Sequence, residues 1–398
     1  MAAPAVCAAR PPAVLLPQLV LKNAFRHKLR TILTLVGIVV AITAFGLLRT
    51  IVDAWYSGAN ASSSARLVTR SSVSLVFSLP LTYARKLRQV PGVAAVTWAN
   101  WFGGVYISER NFFPQFAVDA PTYLDMYPEL VLAPDERKAF LADRTGAIAG
   151  RKLADKFGWK IGDPIPLRGT IFPGTWTFTL QGIYDGAEAA TDTSTMYFHW
   201  RYLNETLRRN APRRADQTGV FIEQLVDAQQ AAEVSRAIDA QFRNSLAETL
   251  TETEKAFQLG FVAMAETILL AIEAVSYIVV VIIMAVMANT MAMTARERSA
   301  EYATLKALGF SGAFVATLIF AESVAIALCG GFIAIGLSFP LTGAFAAAVG
   351  SLLPAVSVSP ETTALQLGAA LVVGLVAAGI PAWRAARIRI VDGLRAVA

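Results

Sequence analysis

The sequence predicts a membrane protein of four transmembrane helices, with a large α+β domain between the first and the second. Three observations predict it. The 398-residue chain is 55% hydrophobic and only 16% charged, with a mean hydropathy of +0.50, too apolar for a soluble protein and too polar to lie wholly in lipid. Four apolar runs are long enough to cross a bilayer. Lysine and arginine gather at the ends of those runs, so the net charge of +6 is explained without nucleic acid, for which no recognition motif is present.

Residues 1–30 read as a cytoplasmic tail and amphipathic segment. "MAAPAVCAARPPAVLLPQLV" lacks a charged start followed by a long apolar core, so it does not read as a cleavable signal, and Cys7 lacks the apolar run that precedes a lipidated cysteine. The first span is 31–50. Thr31 to Leu48, between Arg30 and Arg49, reaches ~27 Å as a helix.

Residues 51–261, about 210 in number, suffice for an independent domain. With the two cysteines at Cys7 and Cys329, that domain has no disulfide framework. "LTYARKLRQVPGVAAVTWANW" reads as helix, Pro-Gly break and strand; "TGAIAGRKLADKFGWKIGDPIPLRG" as strand, helix, turn and strand; "TWTFTLQGIYDG" as an alternating strand. "DAQQAAEVSRAIDAQFRNSLAETLTETEKAFQ" reads as helix over most of its length, running towards the second span. The end of this stalk and the second span occupy 262–293, and the stalk is expected to be a rigid outward continuation of that span.

A charged stretch, 294–311, separates the second and third spans. In it Glu301 follows Arg298 by three, and Tyr302, Leu305 and Leu308 recur at helical spacing, so one face is polar and the other apolar. Gly309 stops this helix, and Ser311 can cap the next. The third span is 312–339, ended by Pro340. An outer loop, 340–362, has neither lysine nor arginine. The fourth span, 363–383, is the weakest because glycines and alanines dilute it, and Pro381 is expected to break it before the tail 384–398.

Orientation follows from the cations. Lys22, Arg26, Lys28 and Arg30 precede the first span, Arg296, Arg298 and Lys306 lie between the second and third, and Arg384, Arg387, Arg389 and Arg395 follow the fourth. Both termini and 294–311 are therefore expected in the cytoplasm, with the large domain outside.

Three of these segments together resemble one family. "LKNAFRHKLRTILTLVGIVVAI", "RERSAEYATLKALGFSGAFVATLIFAES" and "PAWRAARIRIVDGLR" look like the signatures of MacB/FtsX-type ABC-transporter permeases, and the middle domain is similar to that family's periplasmic core domain. The resemblance covers nearly the whole chain and rests on all three motifs in order. It implies a bacterial inner-membrane permease that pairs with a second copy of itself or a paralogous permease. Cognate ABC ATPase subunits would bind the ATP and magnesium, and a periplasmic adaptor is a further implied partner. The residues implied to couple to the ATPase are Arg296, Arg298, Glu301, Tyr302, Leu305, Lys306, Leu308 and Gly309, with Pro381, Arg384 and Arg387 as the cytoplasmic C-terminal motif.

The mixed charge of the stretch favours a protein partner over a lipid surface, where a polar face of lysine and arginine is expected. On this reading Leu305 and Leu308 fill a groove of the partner while Arg298 and Glu301 meet its rim. "GAIAGRK" is not a phosphate loop: its glycines are one residue too close and Arg151 stands where the lysine belongs. The chain is therefore expected not to be an enzyme. His27 and His199, on opposite sides of the membrane, make no metal site. Glu322, in the third apolar run, is expected to hydrogen-bond at a helix contact or in the coupling region in preference to relaying protons. The aromatics of "WANWFGGVY" and "RNFFPQF" fit either a domain core or a ligand surface, with core preferred.

Few ionisable residues occur in the spans, which argues against a wide polar path and predicts that ATP-driven motion emerges outside, on a substrate already in the periplasm or the outer leaflet. The alternative is an FtsX-like regulator of an envelope enzyme. A gradient-driven transporter would need inverted repeats and midplane charges that are not seen.

Overall fold

The structure is a computed structural model and describes residues 28–188, 191–349 and 356–390. The tail 1–27 with Cys7, Lys22, Arg26 and His27, part of the outer loop, and the C-terminal residues 391–398 with Arg395 lie outside the described residues. The chain divides into two compact units, one gathering the four long helices and the other the segment Ala54–Glu266.

Among the described residues, four helices are long and apolar enough to cross a membrane: Lys28–Ala61, Glu266–Glu297, Gly312–Val349 and Pro360–Arg387. Their shared core joins Ile38, Ile42 and Phe45 of the first to Ile283 and Met287 of the second, Ile319 and Ala327 of the third, and Val373 and Ala377 of the fourth. The glycines and alanines that dilute the fourth span form its packing face. A Cβ on Gly374 would stand 3.0 Å from Ala327 Cβ and 3.0 Å from Val324 Cα, so the absent side chain is what lets these two helices meet.

Buried polar bonds tie the bundle. Gln366 Nε2 donates to the Ile42 carbonyl at 3.1 Å and to the Ser338 hydroxyl at 2.8 Å, joining three spans. At the opposite ends of the helices from the charged stretch, Arg49 pairs with Asp53 at 3.3 Å and Glu273 at 3.2 Å, while Asp53 accepts from Thr362 at 2.7 Å and Ser359 at 3.2 Å.

Two expected breaks are absent. The third helix passes through Pro340 to Val349, and the fourth passes through Pro381 to Arg387. A proline removes one backbone donor, and within a helix bundle tertiary packing and neighbouring helices can accommodate that loss. Pro381 is buried in the bundle.

The second unit is α+β. Its strands are β1 (Arg66–Ser71), β2 (Leu79–Pro80), β3 (Val93–Trp101), β4 (Gly104–Val105), β5 (Gln115–Val118), β6 (Leu130–Val131), β7 (Gly146–Gly150), β8 (Pro164–Gly169), β9 (Gly174–Gly186), β10 (Met196–His199), β11 (Gln217–Thr218), β12 (Val220–Leu225) and β13 (Thr249–Thr253). The main sheet runs β13-β1-β12-β3-β5-β10-β7-β9-β8-β4, with β6 on β9, and β11 pairs with β2 separately. Pairing is antiparallel except for β10 with β5 and β7 with β9.

The helix Arg151–Phe157 follows β7 directly, which is the "GAIAGRK" segment. Gly150 is required there because a Cβ would fall 2.0 Å from the Thr193 carbonyl oxygen, so this glycine serves packing. Most of the aromatic cluster is core: Phe102 and Phe113 are fully buried beside Phe178, Phe198 and Trp176, whereas Trp101 and Phe112 remain partly exposed. His199 is buried too, its Nε2 2.7 Å from the Phe140 carbonyl oxygen, and burial lowers its pKa.

The long helix expected from Asp227 onwards is interrupted. Helix Ala231–Phe242 gives way to β13, which pairs with β1 from Thr253↔Leu67 to Thr249↔Ser71, before helix Glu254–Met264. The alternation in "TLTET" with its β-branched threonines suits an edge strand, and the free edge of β1 supplies the ladder. Nor is the stalk one helix with the second span: helix Glu254–Met264 ends at Ala265 and a new helix starts at Glu266.

Candidate functional site

The stretch between the second and third spans folds as a short helix held at both ends. Glu297 closes the second span, Arg298 makes the turn at φ −97° and ψ 14°, and Ser299–Ala307 is helical. Amides of Leu308, Gly309 and Phe310 then return to the carbonyls of Thr304, Lys306 and Leu305 at 3.0, 3.1 and 3.1 Å, satisfying the orphan acceptors of the last turn. Gly309 sits at φ +95°, where a side-chain-bearing residue would be strained. Ser311 Oγ accepts from the Phe314 amide at 3.2 Å and caps the third span.

Arg298 organises this region. Its Nη1 donates to both oxygens of Glu322 at 2.9 Å, its Nε donates to Glu301 at 3.0 Å, and its guanidinium lies 5.3 Å from the centre of the Tyr302 ring. The Arg298 and Glu322 side chains are only 7% and 4% exposed, so this pair is a buried pin between the turn and the third span. Burial alone would lower the Arg298 pKa, but the hydrogen bonds and charge of Glu322 more than offset it and hold the guanidinium above its usual range. The phenol of Tyr302 is pushed up to about 12 by burial, with Arg298 pulling the other way.

Lys306 fixes the other end. Its Nζ donates to the carbonyls of Ala386 and Ile388 at 2.6 and 2.9 Å, placing a cation at the carbonyl end of the fourth span. Close by, Gly312 approaches the same turn so nearly that a Cβ would fall 2.6 Å from the Ala386 oxygen. The first span is clasped as well, Arg30 forking onto Glu297 at 2.7 and 2.8 Å.

The sequence-derived residues thus divide. Arg298, expected at a partner's rim, is buried, because the Glu322 carboxylate in the third span needs a cation and Arg298 reaches it. Tyr302 is 1% exposed and Leu305 packs on the bundle core, so neither is offered to a partner groove. Leu308 is 72% exposed, and Arg296, Thr304, Ala307 and Gly309 are exposed with it. Arg384 and Arg387 are exposed at the end of the fourth span, Arg387 lying 4.5 Å from the Trp383 ring centre.

Sequence reasoning flagged Glu322 as an ionisable group in an apolar run but missed its partner, and missed Arg30–Glu297 and the Lys306 clasp. An unpaired carboxylate in a span asks for a cation, and the charged stretch just before that span carries Arg296 and Arg298, which was the available signal.

Two family models match the chain: an FtsX-like permease C-terminal region over residues 273–390, and a MacB-like periplasmic core domain over residues 31–241. No curated protein matches. Among solved structures, the extracellular domain of the noncanonic ABC-type transporter YknZ from Gram-positive bacteria is 14% identical over 47% of this chain and 100% of its own length, with a TM-score of 0.34. The periplasmic region of MacB from Actinobacillus actinomycetemcomitans is 9% identical over 50% of this chain and 92% of its own, with a TM-score of 0.35.

Proposed function

This chain belongs to the MacB/FtsX-type ABC permeases, and from that membership we propose that it is the membrane subunit of an ATP-driven transporter that moves a substrate from the periplasm or the outer leaflet by mechanical transmission. Separate ABC ATPase subunits bind the ATP and magnesium. Their closure pushes on helix Ser299–Ala307 and is passed through the spans to the outer domain. A second permease copy or a paralogue completes the complex, with a periplasmic adaptor as a further partner, and both termini face the cytoplasm.

The observation that carries this reading is the double anchoring of the short helix. Arg298 locks its start to the third span through Glu322, Lys306 locks its end to the fourth, and Leu308 projects into solvent beside Ala307 and Gly309. A helix held that rigidly cannot yield when pressed, so a push on its exposed end displaces the spans themselves. Leu308 is the apolar anchor left for a partner, and truncating such an anchor commonly costs about 2 kcal/mol or more.

Vesicles reconstituted with the chain and its cognate ATPase test the reading. Substrate release should require ATP hydrolysis and ignore an imposed proton gradient. Movement driven by the gradient without ATP would overturn it.

A further inference from the structure

The inserted domain contains a buried acid, Glu223, away from the short helix and the bundle. Glu223 of β12 is fully buried, and neither of its carboxyl oxygens has a hydrogen-bond partner among the described residues. It stands opposite Leu67 of β1 and Val96 of β3, between Phe221 and Leu225 on the same face. Helix Ala231–Phe242 covers that face with Val234, Ile238 and Phe242. An ionised carboxylate in such surroundings, without a cation, is strongly unfavourable.

The neighbouring hydroxyls decide which protonation state fits. Asp239, on the covering helix, accepts from Thr249 Oγ1 at 2.8 Å, from Thr251 Oγ1 at 2.7 Å and from the Thr251 amide at 3.1 Å. The single hydroxyl proton of Thr251 is therefore committed to Asp239. In the 2.9 Å contact between Thr69 and Thr251, Thr69 must then be the donor. Thr69 lies on the same face of β1, two residues on from Leu67 opposite Glu223, and with its proton committed it offers only lone pairs. A neutral Glu223 can donate to them, whereas an anion would meet them charge to lone pair.

We propose that Glu223 is a proton-binding site of the outer domain, loaded in the folded state at neutral pH, and that its discharge loosens helix Ala231–Phe242 from the sheet. Thr69 and Thr251 then form a one-way row of donors that ends on the Asp239 carboxylate and leaves no proton for Glu223 to accept. The other charged groups near this face are Lys86, 5.7 Å from the Phe242 ring centre, and Arg88, 6.0 Å from that of Trp98; both sit on aromatic rings and not on the carboxyl. Arg66 and Arg70 of β1 point to the opposite face, where they pair with Glu129, Glu254 and Glu252.

Burial pushes the Glu223 carboxyl up to about 8, and the charge of Asp239 reinforces the rise; the Thr69 hydroxyl could oppose it only by donating a proton already engaged. Because the folded value lies above the unfolded one, the stability it lends is present at low pH and is lost as pH rises through about 8.

The test uses the full chain in lipid nanodiscs, with tryptophan fluorescence following the unfolding of the outer domain. For one proton the folded-to-unfolded ratio should fall up to about tenfold per pH unit between about pH 5 and about pH 8, and flatten above. Glu223→Gln, neutral and able to donate, should fold and lack this component. Infrared difference spectra at neutral pH should show a protonated carboxyl band that Glu223→Gln lacks. A wild type without the pH component, a Glu223→Gln variant that retains it, or the absence of that band would each overturn the proposal.

Discussion

Arg298 and Glu322 form a pair whose value depends on both members. Removing one partner of a buried ion pair strands the other charge, which costs about 3–5 kcal/mol, whereas exchanging both for apolar residues of similar volume is often neutral. Arg298→Ala should therefore lower the melting temperature of the purified protein sharply, and Arg298→Met with Glu322→Leu should recover most of it without restoring ATPase coupling, since the directional tie is gone. A double variant as unstable as the sum of the singles would sink this account. Leu308→Ala should behave oppositely: its side chain is exposed, so melting should be unchanged while co-purification of the ATPase subunit falls.

Close contacts between elements depend on small residues. Gly374 meets the third span at backbone distance, so Gly374→Leu would force the third and fourth spans apart, and overpacking of this kind typically costs about 1–3 kcal/mol. Because Lys306 anchors the short helix to the fourth span, the variant should lose coupling together with thermal stability. Gly379→Leu, on the same helix but with nothing within 4 Å of its Cβ position, should leave both unaltered. Equal effects from the two substitutions would show that helix propensity, not packing, governs this element. The same residues show why the fourth span looked weak in sequence. Hydropathy scores glycine and alanine as poor membrane residues, although in lipid their lack of bulk lets helices pack.

For the whole molecule, the arrangement of cations sets the expected topology. Arg30, Arg296, Arg298, Lys306, Arg384 and Arg387 all cluster at one set of span ends, while the acidic and hydroxyl groups around Arg49 lie at the other. A reporter active only in the cytoplasm, fused after Ala398, should be active. Activity confined to a periplasmic reporter would invert the frame and remove helix Ser299–Ala307 from the reach of any cytoplasmic ATPase.

The sequence by itself determined the four spans, the α+β class of the inserted domain, its strands β3, β7, β8 and β9 with the helices Tyr83–Leu87 and Arg151–Phe157, and the short helix with its Gly309 end and Ser311 cap. Each of these depends on local quantities: the length of an apolar run against bilayer thickness, the period of its side chains, or the backbone freedom of one residue. Only the tertiary structure decided that Pro340 and Pro381 are passed through, that "TLTET" becomes a strand, and that Arg298 turns inward while Leu308 alone of its apolar stripe turns out. Those outcomes hinge on distant partners. β13 exists because β1 has an edge to pair, and Arg298 is buried because Glu322, twenty-four residues on, would otherwise be a carboxylate without a cation. A local window contains the need for a partner but not the identity of the group that meets it.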